Sequence, residues 1–276
     1  MQQPSEINNP IRLGDALRSM RALLEDPDDT RLVFEIIEAL SGNTGQRLLA
    51  RLRRTESGSQ LLADRGDVLP LLRDRTYLTS LPEGSLGRAY LAFLEREGIT
   101  AAGLVEASET GRELPDTQLA RELLWLHHRL RDSHDLWHAV TGYQGDLIGE
   151  GALLAFSFAQ TRNPGIGFIV AAGLLAGPWA RAKSKLEPLR YPDGSLAPHP
   201  RRVILEGLVR GLRAKFFPAV KWEELLARPL EEVRRELAVG APPRYQPVRS
   251  HEVDLSTGTR RANPDYGPTQ NFTATT

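Results

Sequence analysis

The chain has 276 residues, 41 % of them hydrophobic, and its 35 basic and 35 acidic side chains cancel. This composition supports an ordinary globular core rather than disorder or a polytopic membrane protein, and balanced charge leaves no net field to draw in nucleic acid. There is no cysteine, so disulfides, thiolate ligands and cysteine nucleophiles are excluded together and any metal site must use nitrogen and oxygen.

From Met1 to Pro10 the chain lacks the basic-then-apolar layout of a secretory signal. It also lacks the arginine-rich, acid-poor character of a mitochondrial transit peptide, so a bacterial protein on the cytoplasmic side is expected. Beyond Pro10, helical periodicity dominates. Leu13, Leu17, Met20 and Leu23 or Leu24 mark a helix that stops at Asp26 and Pro27. Asp28 or Asp29 caps a second over Leu32–Leu40, which ends at Ser41 and Gly42. Leu48–Leu52 and Val68–Leu72 read as further helical segments. Gly84 and Ser85 precede a helix through Tyr90, Phe93 and Leu94, closed by Gly98. Gln118–Leu130 forms another, and Val203 to Leu205 sit inside a helix continuing to Phe217. The expected fold is all-α, one helical domain of packed helices over residues 1–239. Residues 240–276 are polar, with scattered Gly, Pro and Thr. They read as a tail, disordered unless it wraps the domain or a partner.

Two stretches stand out for apolarity. Ile166–Ala176 lies in an uncharged span from Asn163 to Ala180 that is interrupted by Pro164 and Pro178. Its strictly apolar part is too short for the roughly 20 residues a membrane crossing needs. A buried helix is the first reading, and a helix lining a lipid tunnel the second. Lys215–Trp222 mixes aromatics with lysines, the composition of an interfacial anchor or of a core edge with lysines reaching water.

The most informative segment runs from Arg131 to Glu150. His134 and His138 are four residues apart, so on a helix both imidazoles project from one face. Asp135 adjoins the first, and Glu150 lies twelve residues past the second. Imidazole and carboxylate are donors that suit zinc and several other divalent ions. On one straight helix Glu150 would sit roughly 120° around from His138 and point away. The Gly142–Gly145 stretch offers the remedy. A helix ending near Thr141, a turn, and a second helix capped by Asp146 would fold Glu150 back beside His138. The geometry requires a helix–turn–helix. His127 and His128 have no acidic partner four residues away and read as structural, while His199 and His251 read as incidental.

These residues resemble a known family. His134, Asp135 and His138, then Glu150 after eleven intervening residues, look like the signature of the coenzyme Q (ubiquinone) biosynthesis protein 4 family. Leu81–Phe93 upstream, Gly149–Thr161 downstream and Trp222–Leu225 near the end come in family order, so the resemblance covers roughly residues 31–237. It implies ubiquinone biosynthesis on a prenylated hydroxybenzoate-type ring. The associated reaction is oxidative decarboxylation, in which the carboxyl group on ring carbon 1 is removed and a hydroxyl placed there. The alternative it also implies is a non-catalytic, prenyl-lipid-binding scaffold that organises a quinone biosynthesis complex. By carry-over His134, Asp135, His138 and Glu150 become ligands of a divalent metal ion, zinc first among the options. Expected partners are the prenylated lipid, other quinone biosynthesis enzymes, the inner face of the membrane by peripheral contact, and a second copy in a homodimer.

The ion would act as a Lewis acid toward a ring phenolate or the departing carboxylate. Asp135 has a second possible role, accepting the ring N–H of a ligand histidine. Arg131, one turn before His134, is a candidate clamp for a substrate carboxylate or else an ion-pair partner of Asp132. Trp137 reads as packing, and Tyr143 as a turn residue within reach of the ring. No nucleotide, haem or flavin motif supplies an oxidant, which leaves dioxygen. A metal-dependent phosphohydrolase with an adjacent His-Asp pair is a rival, but that class needs further ligands on separate helices.

Overall fold

A computed structural model describes residues 9–101, 116–177 and 189–253 of the chain. In order, the α-helices are α1 (Leu13–Glu25), α2 (Thr30–Leu40), α3 (Thr44–Leu52), α4 (Glu56–Asp64), α5 (Leu69–Arg73), α6 (Arg75–Ser80) and α7 (Leu86–Glu97). They continue as α8 (Gln118–Asp132), α9 (His134–Thr141), α10 (Leu147–Thr161), α11 (Pro164–Ala176), α12 (Pro200–Arg213), α13 (Trp222–Leu225) and α14 (Leu230–Glu236). No strand occurs among the described residues, and the fold is all-α as expected. Several boundaries are set by side chains legible in the sequence. Asp29 accepts from the Arg31 backbone to start α2, and Ser85 accepts from that of Arg88 to start α7. Gly98, at φ +67°, closes α7 in the left-handed conformation that a glycine adopts without strain.

The main core gathers α5, α6, α7, α9, α10, α12, α13 and α14 around Tyr90, Trp137, Phe156, Phe217 and Trp222. Helices α10 and α12 are held tightest. A Cβ on Gly207 would lie 2.2 Å from the Ala152 carbonyl oxygen, so only glycine permits the two backbones to come this close. A smaller core joins α1, α2 and α11 through Met20, Ile36 and Ile169, and a third joins α3 to α8 through Leu49, Leu52 and Leu126.

Lys215–Trp222 belongs to the core rather than to a membrane interface. Phe217 and Trp222 are fully buried with their rings edge-on at 5.3 Å, and Phe216 lies under the Arg51 guanidinium at 3.8 Å. Val203 to Leu205 lie inside a helix as expected, but α12 ends at Arg213, and Phe217 falls in a separate 3₁₀ turn over Phe217–Ala219. Among the described residues no helix is long and apolar enough to cross a membrane. Helix α11 packs on α1 and α2 with one side; Pro178 to Ala180 lie outside the described residues.

Residues 240–253 wrap the domain. Tyr245, Val248 and Val253 are buried in the main core, and the Leu147 backbone donates to the Val248 carbonyl at 3.0 Å. A strap is therefore fastened beside the turn that precedes α10, within the stretch expected to be a tail. The rest of that expected tail, residues 254–276, lies outside the described residues.

Candidate metal centre

Helix α8 stops at Asp132, Ser133 turns its hydroxyl back to the Arg129 carbonyl at 2.7 Å, and α9 starts afresh at His134. An isolated eight-residue helix is unstable, and the last carbonyls of any helix lack partners within it. Two buried arginines supply them here. Arg234 donates through Nε to the Val140 carbonyl (2.9 Å) and through Nη2 to that of Ala139 (3.2 Å); Arg210 Nη2 donates to that of Thr141 (2.9 Å). Cations at a helix C-terminus also oppose its dipole favourably. The helix bearing both histidines is thus fixed by residues far along the chain.

The turn matches the sequence reading closely. Gly142 takes φ +80° and closes α9; a Cβ there would sit 2.6 Å from that of Pro242 in the strap. Asp146 caps α10. Its Oδ1 accepts from the Ile148 and Val248 backbones, both at 3.0 Å, and its Oδ2 accepts from the Tyr245 hydroxyl at 2.7 Å. Burial pushes the Asp146 carboxyl up, beyond what these donors recover. The Tyr245 oxygen accepts in turn from the Gln144 backbone at 2.9 Å. Chain reversal at this knot brings Glu150 Oε1 within 3.3 Å of His138 Nε2.

His138 is buried, with its ring stacked on Phe93 (centroids 4.7 Å, planes 16° apart) and edge-on to His134 at 4.9 Å. Its Nδ1 lies 3.0 Å from the Tyr143 carbonyl, which can only accept, so Nδ1 carries the proton. In the neutral ring Nε2 then presents a bare lone pair. That buried atom has no hydrogen-bond partner, because the nearby Glu150 carboxylate is out of line. A lone pair facing a carboxylate requires a cation between them, either a proton or a metal ion. The electrostatics agree. Burial lowers the His138 pKa, yet the Glu150 charge outweighs it and the net shift is upward. Burial raises the Glu150 pKa, and the two histidines pull it below the usual carboxylate value.

Donor atoms of His134, His138 and Glu150 all lie within 4.8 Å of one another. Two imidazoles and a carboxylate with room for a further ligand is a donor set that suits a catalytic zinc-type ion. Asp135 is not part of that cluster. Its buried carboxylate oxygen lies 3.2 Å from His134 Nδ1, the position from which a carboxylate orients a ligand imidazole and leaves Nε2 for the metal. Arg131 binds Asp132 through Nε at 2.7 Å and also lines the adjoining cavity. Trp137 packs edge-on against Phe156 and Phe217. Tyr143 is fully buried and absent from the cavity wall; it serves the site through its carbonyl, not its ring. His199 caps α12 by accepting from the Arg201 backbone, and His251 stands on the cavity wall.

His134 and Glu150 line this cavity, whose volume is about 1300 Å³, and His138 stands behind Glu150. The cavity exceeds the ~300–1,000 Å³ typical of small-ligand pockets. Much of its wall is apolar, with Met20 and Leu23 of α1, Val33 and Phe34 of α2, and Ile166 and Ile169 of α11. Glu150 keeps 45 % of its side-chain surface, and that surface faces the cavity, since protein otherwise encloses the group. His127 is an exposed residue on the cavity wall, and the protein packed around it depresses its pKa to about 4, with smaller contributions from His128 and Arg131. In the unfolded chain a histidine takes up its proton near 6.5, whereas the folded one stays neutral to about 4. The stability this group contributes is complete above pH 6.5 and is lost as pH falls toward 4. Denaturation midpoints measured from pH 7 to pH 4 should therefore fall less steeply in His127→Leu than in the wild type; parallel curves would refute the assignment.

Comparison with known proteins identifies the family. The family model described as "Coenzyme Q (ubiquinone) biosynthesis protein Coq4" matches residues 8–243. A ubiquinone biosynthesis protein of Neurospora crassa is 32 % identical over 252 residues, covering 88 % of this chain and 59 % of that protein. One from Aspergillus terreus is 31 % identical, covering 74 % and 63 %, and a homologue from Danio rerio is 29 % identical, covering 83 % and 76 %. The chain thus spans about three fifths of the length of these fungal relatives. A crystal structure of a Nostoc punctiforme protein shares the fold, with a TM-score of 0.57 at 21 % identity over 84 % of this chain and all of that one. The three relatives are named as mitochondrial proteins, which overturns the expectation of a bacterial cytoplasmic protein at the inner membrane face. That expectation rested on the composition of the first ten residues, which is no guide to compartment. On the extent of the family match and the identity to its fungal members, the chain belongs to the coenzyme Q (ubiquinone) biosynthesis protein Coq4 family.

Proposed function

We propose that this protein binds a prenylated hydroxybenzoate-type precursor of ubiquinone and carries out metal-dependent oxidative decarboxylation at ring carbon 1. One observation carries the reading: a cluster of three metal-type donors borders a large cavity whose wall is otherwise largely apolar. An isoprenoid tail belongs among Met20, Leu23, Phe34 and Ile169, and the ring beside the His134–His138–Glu150 cluster. His134, His138 and Glu150 would hold a divalent ion, zinc being the first choice for a nitrogen and oxygen donor set. Bound there, such an ion supplies Lewis-acid stabilisation of negative charge on a phenolate or carboxylate oxygen.

The chain's own residues do the rest. Asp135 holds the His134 ring, and the Tyr143 carbonyl fixes the His138 tautomer with Nε2 toward Glu150. Phe93 and the apolar walls keep water from the ring. Overall the bond from carbon 1 to the carboxyl group breaks, carbon dioxide leaves, and one oxygen atom is added at the same carbon. Dioxygen is the oxidant assigned: it takes up the two electrons and two protons released and leaves as hydrogen peroxide, while the oxygen placed on carbon 1 comes from water. The scaffold reading shares the cavity but not the need for an ion, and the two separate by experiment. Purified protein is analysed for metal and for co-purified lipid, then assayed with the prenylated acid in air, without oxygen, and after chelation. Hydroxylated, decarboxylated product that needs both oxygen and metal is expected. Unchanged turnover without oxygen sinks the oxidative step, and bound lipid with no turnover in any condition favours the scaffold.

A further inference from the structure

Beside the metal-type donors lies a second polar cluster to which the proposed metal chemistry gives no role. Glu97, at the end of α7, is buried and lines the cavity, and it holds two arginines. Arg96 meets its Oε1 through Nε at 3.1 Å, and Arg249 of the strap meets its Oε2 through Nη1 at 2.6 Å while also donating to the Gly145 carbonyl at 2.8 Å. Burial raises the Glu97 pKa, but the two guanidinium groups more than reverse it, so the carboxylate stays charged.

Arg249 is thus committed to holding the turn. Arg96 is not. Its Nε is occupied, and the two terminal nitrogens have no partner among the described residues. Half of its side-chain surface is open (50 %), and it lines the same cavity as His134, Asp135 and Glu150. Its position is fixed as well as free. The guanidinium carbon stands 5.5 Å from the centre of the Phe93 ring, whose own centre is 4.7 Å from that of His138. A guanidinium held by a carboxylate at Nε and by a ring below presents its two outer N–H groups as a fork, the geometry that grips a carboxylate through two bonds.

Charge points the same way. Glu150, Asp135 and Glu97 already place three carboxylates on the cavity wall. An incoming anionic substrate group would be repelled unless a cation met it.

We propose that Arg96 is the residue that receives the substrate's carboxylate, held in place by Glu97 and Phe93. This rests on the reading of the substrate as a prenylated hydroxybenzoate. It implies a division of labour in which the carboxylate sits on Arg96 and the ring oxygen is left to face the His134–His138–Glu150 cluster. Arg131, whose Nε is engaged by Asp132, is then the wall and not the clamp.

The test is equilibrium binding, which needs no turnover. The probes are 3-prenyl-4-hydroxybenzoic acid and 2-prenylphenol, which is the same molecule without the carboxyl group. Affinities of the full chain are monitored by tryptophan fluorescence. Wild type should prefer the acid by roughly ten- to hundredfold, the range expected for a net charge-assisted bond. Arg96→Met should lose that preference while binding the phenol as before, and Arg96→Lys should keep part of it. An unchanged thermal midpoint in Arg96→Met excludes unfolding as the cause, because Arg249 still holds Glu97. Equal preference in Arg96→Met and wild type overturns the assignment, as does a wild type that binds both probes alike; either result leaves the quinone-precursor reading standing. Failure of the wild type to bind either probe overturns both.

Discussion

Glu150→Gln is expected to reduce divalent-ion affinity by roughly hundredfold or more, at least the upper end of what loss of an outer-sphere partner costs a metal site, while leaving the metal-free protein as stable as the wild type or slightly more so at a pH high enough to keep the His138 ring neutral. The two effects separate because of what Glu150 faces. In the wild type a carboxylate oxygen lies 3.3 Å from the bare lone pair of His138 Nε2, which no hydrogen bond satisfies. Glutamine keeps the shape, removes the charge and brings an amide N–H that can donate to that lone pair. A satisfied buried acceptor gains about 1 kcal/mol over an unsatisfied one. Thermal unfolding with and without added zinc, alongside metal analysis, reads both quantities. The wild type should show a midpoint that rises with metal, and Glu150→Gln a midpoint that does not respond. Stoichiometric metal in the variant would remove Glu150 from the ligand set. His138→Ala is the less informative substitution. It empties a buried site stacked on Phe93, and the resulting void costs about 2–4 kcal/mol by itself, so lost metal and lost fold would arrive together.

How much of the molecule was legible in the sequence depends on distance along the chain. Asp29, Ser85, Gly98 and Asp146 act on neighbours within four residues, and each marks its helix end as read. The turn at Gly142–Asp146 was legible for a related reason. Without it the spacing of His138 and Glu150 makes no site, so the chemistry demanded a reversal and glycines stood where one was needed. What the sequence hides are the partners about 70 to 150 residues away. Arg234 and Arg210 hold the end of α9, Tyr245 and Val248 hold Asp146, and Arg249 holds Glu97. None of these pairings leaves a periodic trace, and Tyr245 and Arg249 fall in a stretch whose Gly, Pro and polar content reads as tail.

Local composition also left smaller points open. Helix α4 covers Glu56–Asp64, mostly polar with only Leu61 and Leu62 as large apolar residues, so its amphipathic signal is weak. Lys215 to Trp222 fits an interfacial anchor or a core edge by composition alone, and only the fold decides for the core, where Phe217 and Trp222 are buried. The role of Asp135 turned on a neighbouring ring nitrogen 3.2 Å away, a distance that spacing alone does not fix.

Gly149→Ala tests whether the turn, rather than the ligands, makes the site. An alanine Cβ at this position would lie 2.0 Å from the Gln144 carbonyl oxygen, 2.8 Å from its backbone nitrogen and 2.6 Å from the Tyr245 hydroxyl. Two of those atoms are backbone and cannot rotate aside, and the third is pinned by Asp146. The first turn of α10 must therefore lift away from the loop that precedes it. Overpacking of this kind costs about 3 kcal/mol, more than alanine's gain in helix propensity of roughly 1 kcal/mol can offset. Glu150 is the next residue, so it moves with the helix even though His134, His138 and Glu150 are all still present. Gly151→Ala is the matched control: its Cβ would meet only the end of the Ile204 side chain, at 3.2 Å, which can shift. Chemical denaturation and metal analysis of the two variants should therefore diverge, with Gly149→Ala destabilised and metal-poor and Gly151→Ala close to wild type on both counts. Full metal binding in a folded Gly149→Ala would mean that Glu150 reaches the histidines without the tight bend, and the doubled-back backbone would lose its place as the origin of the site.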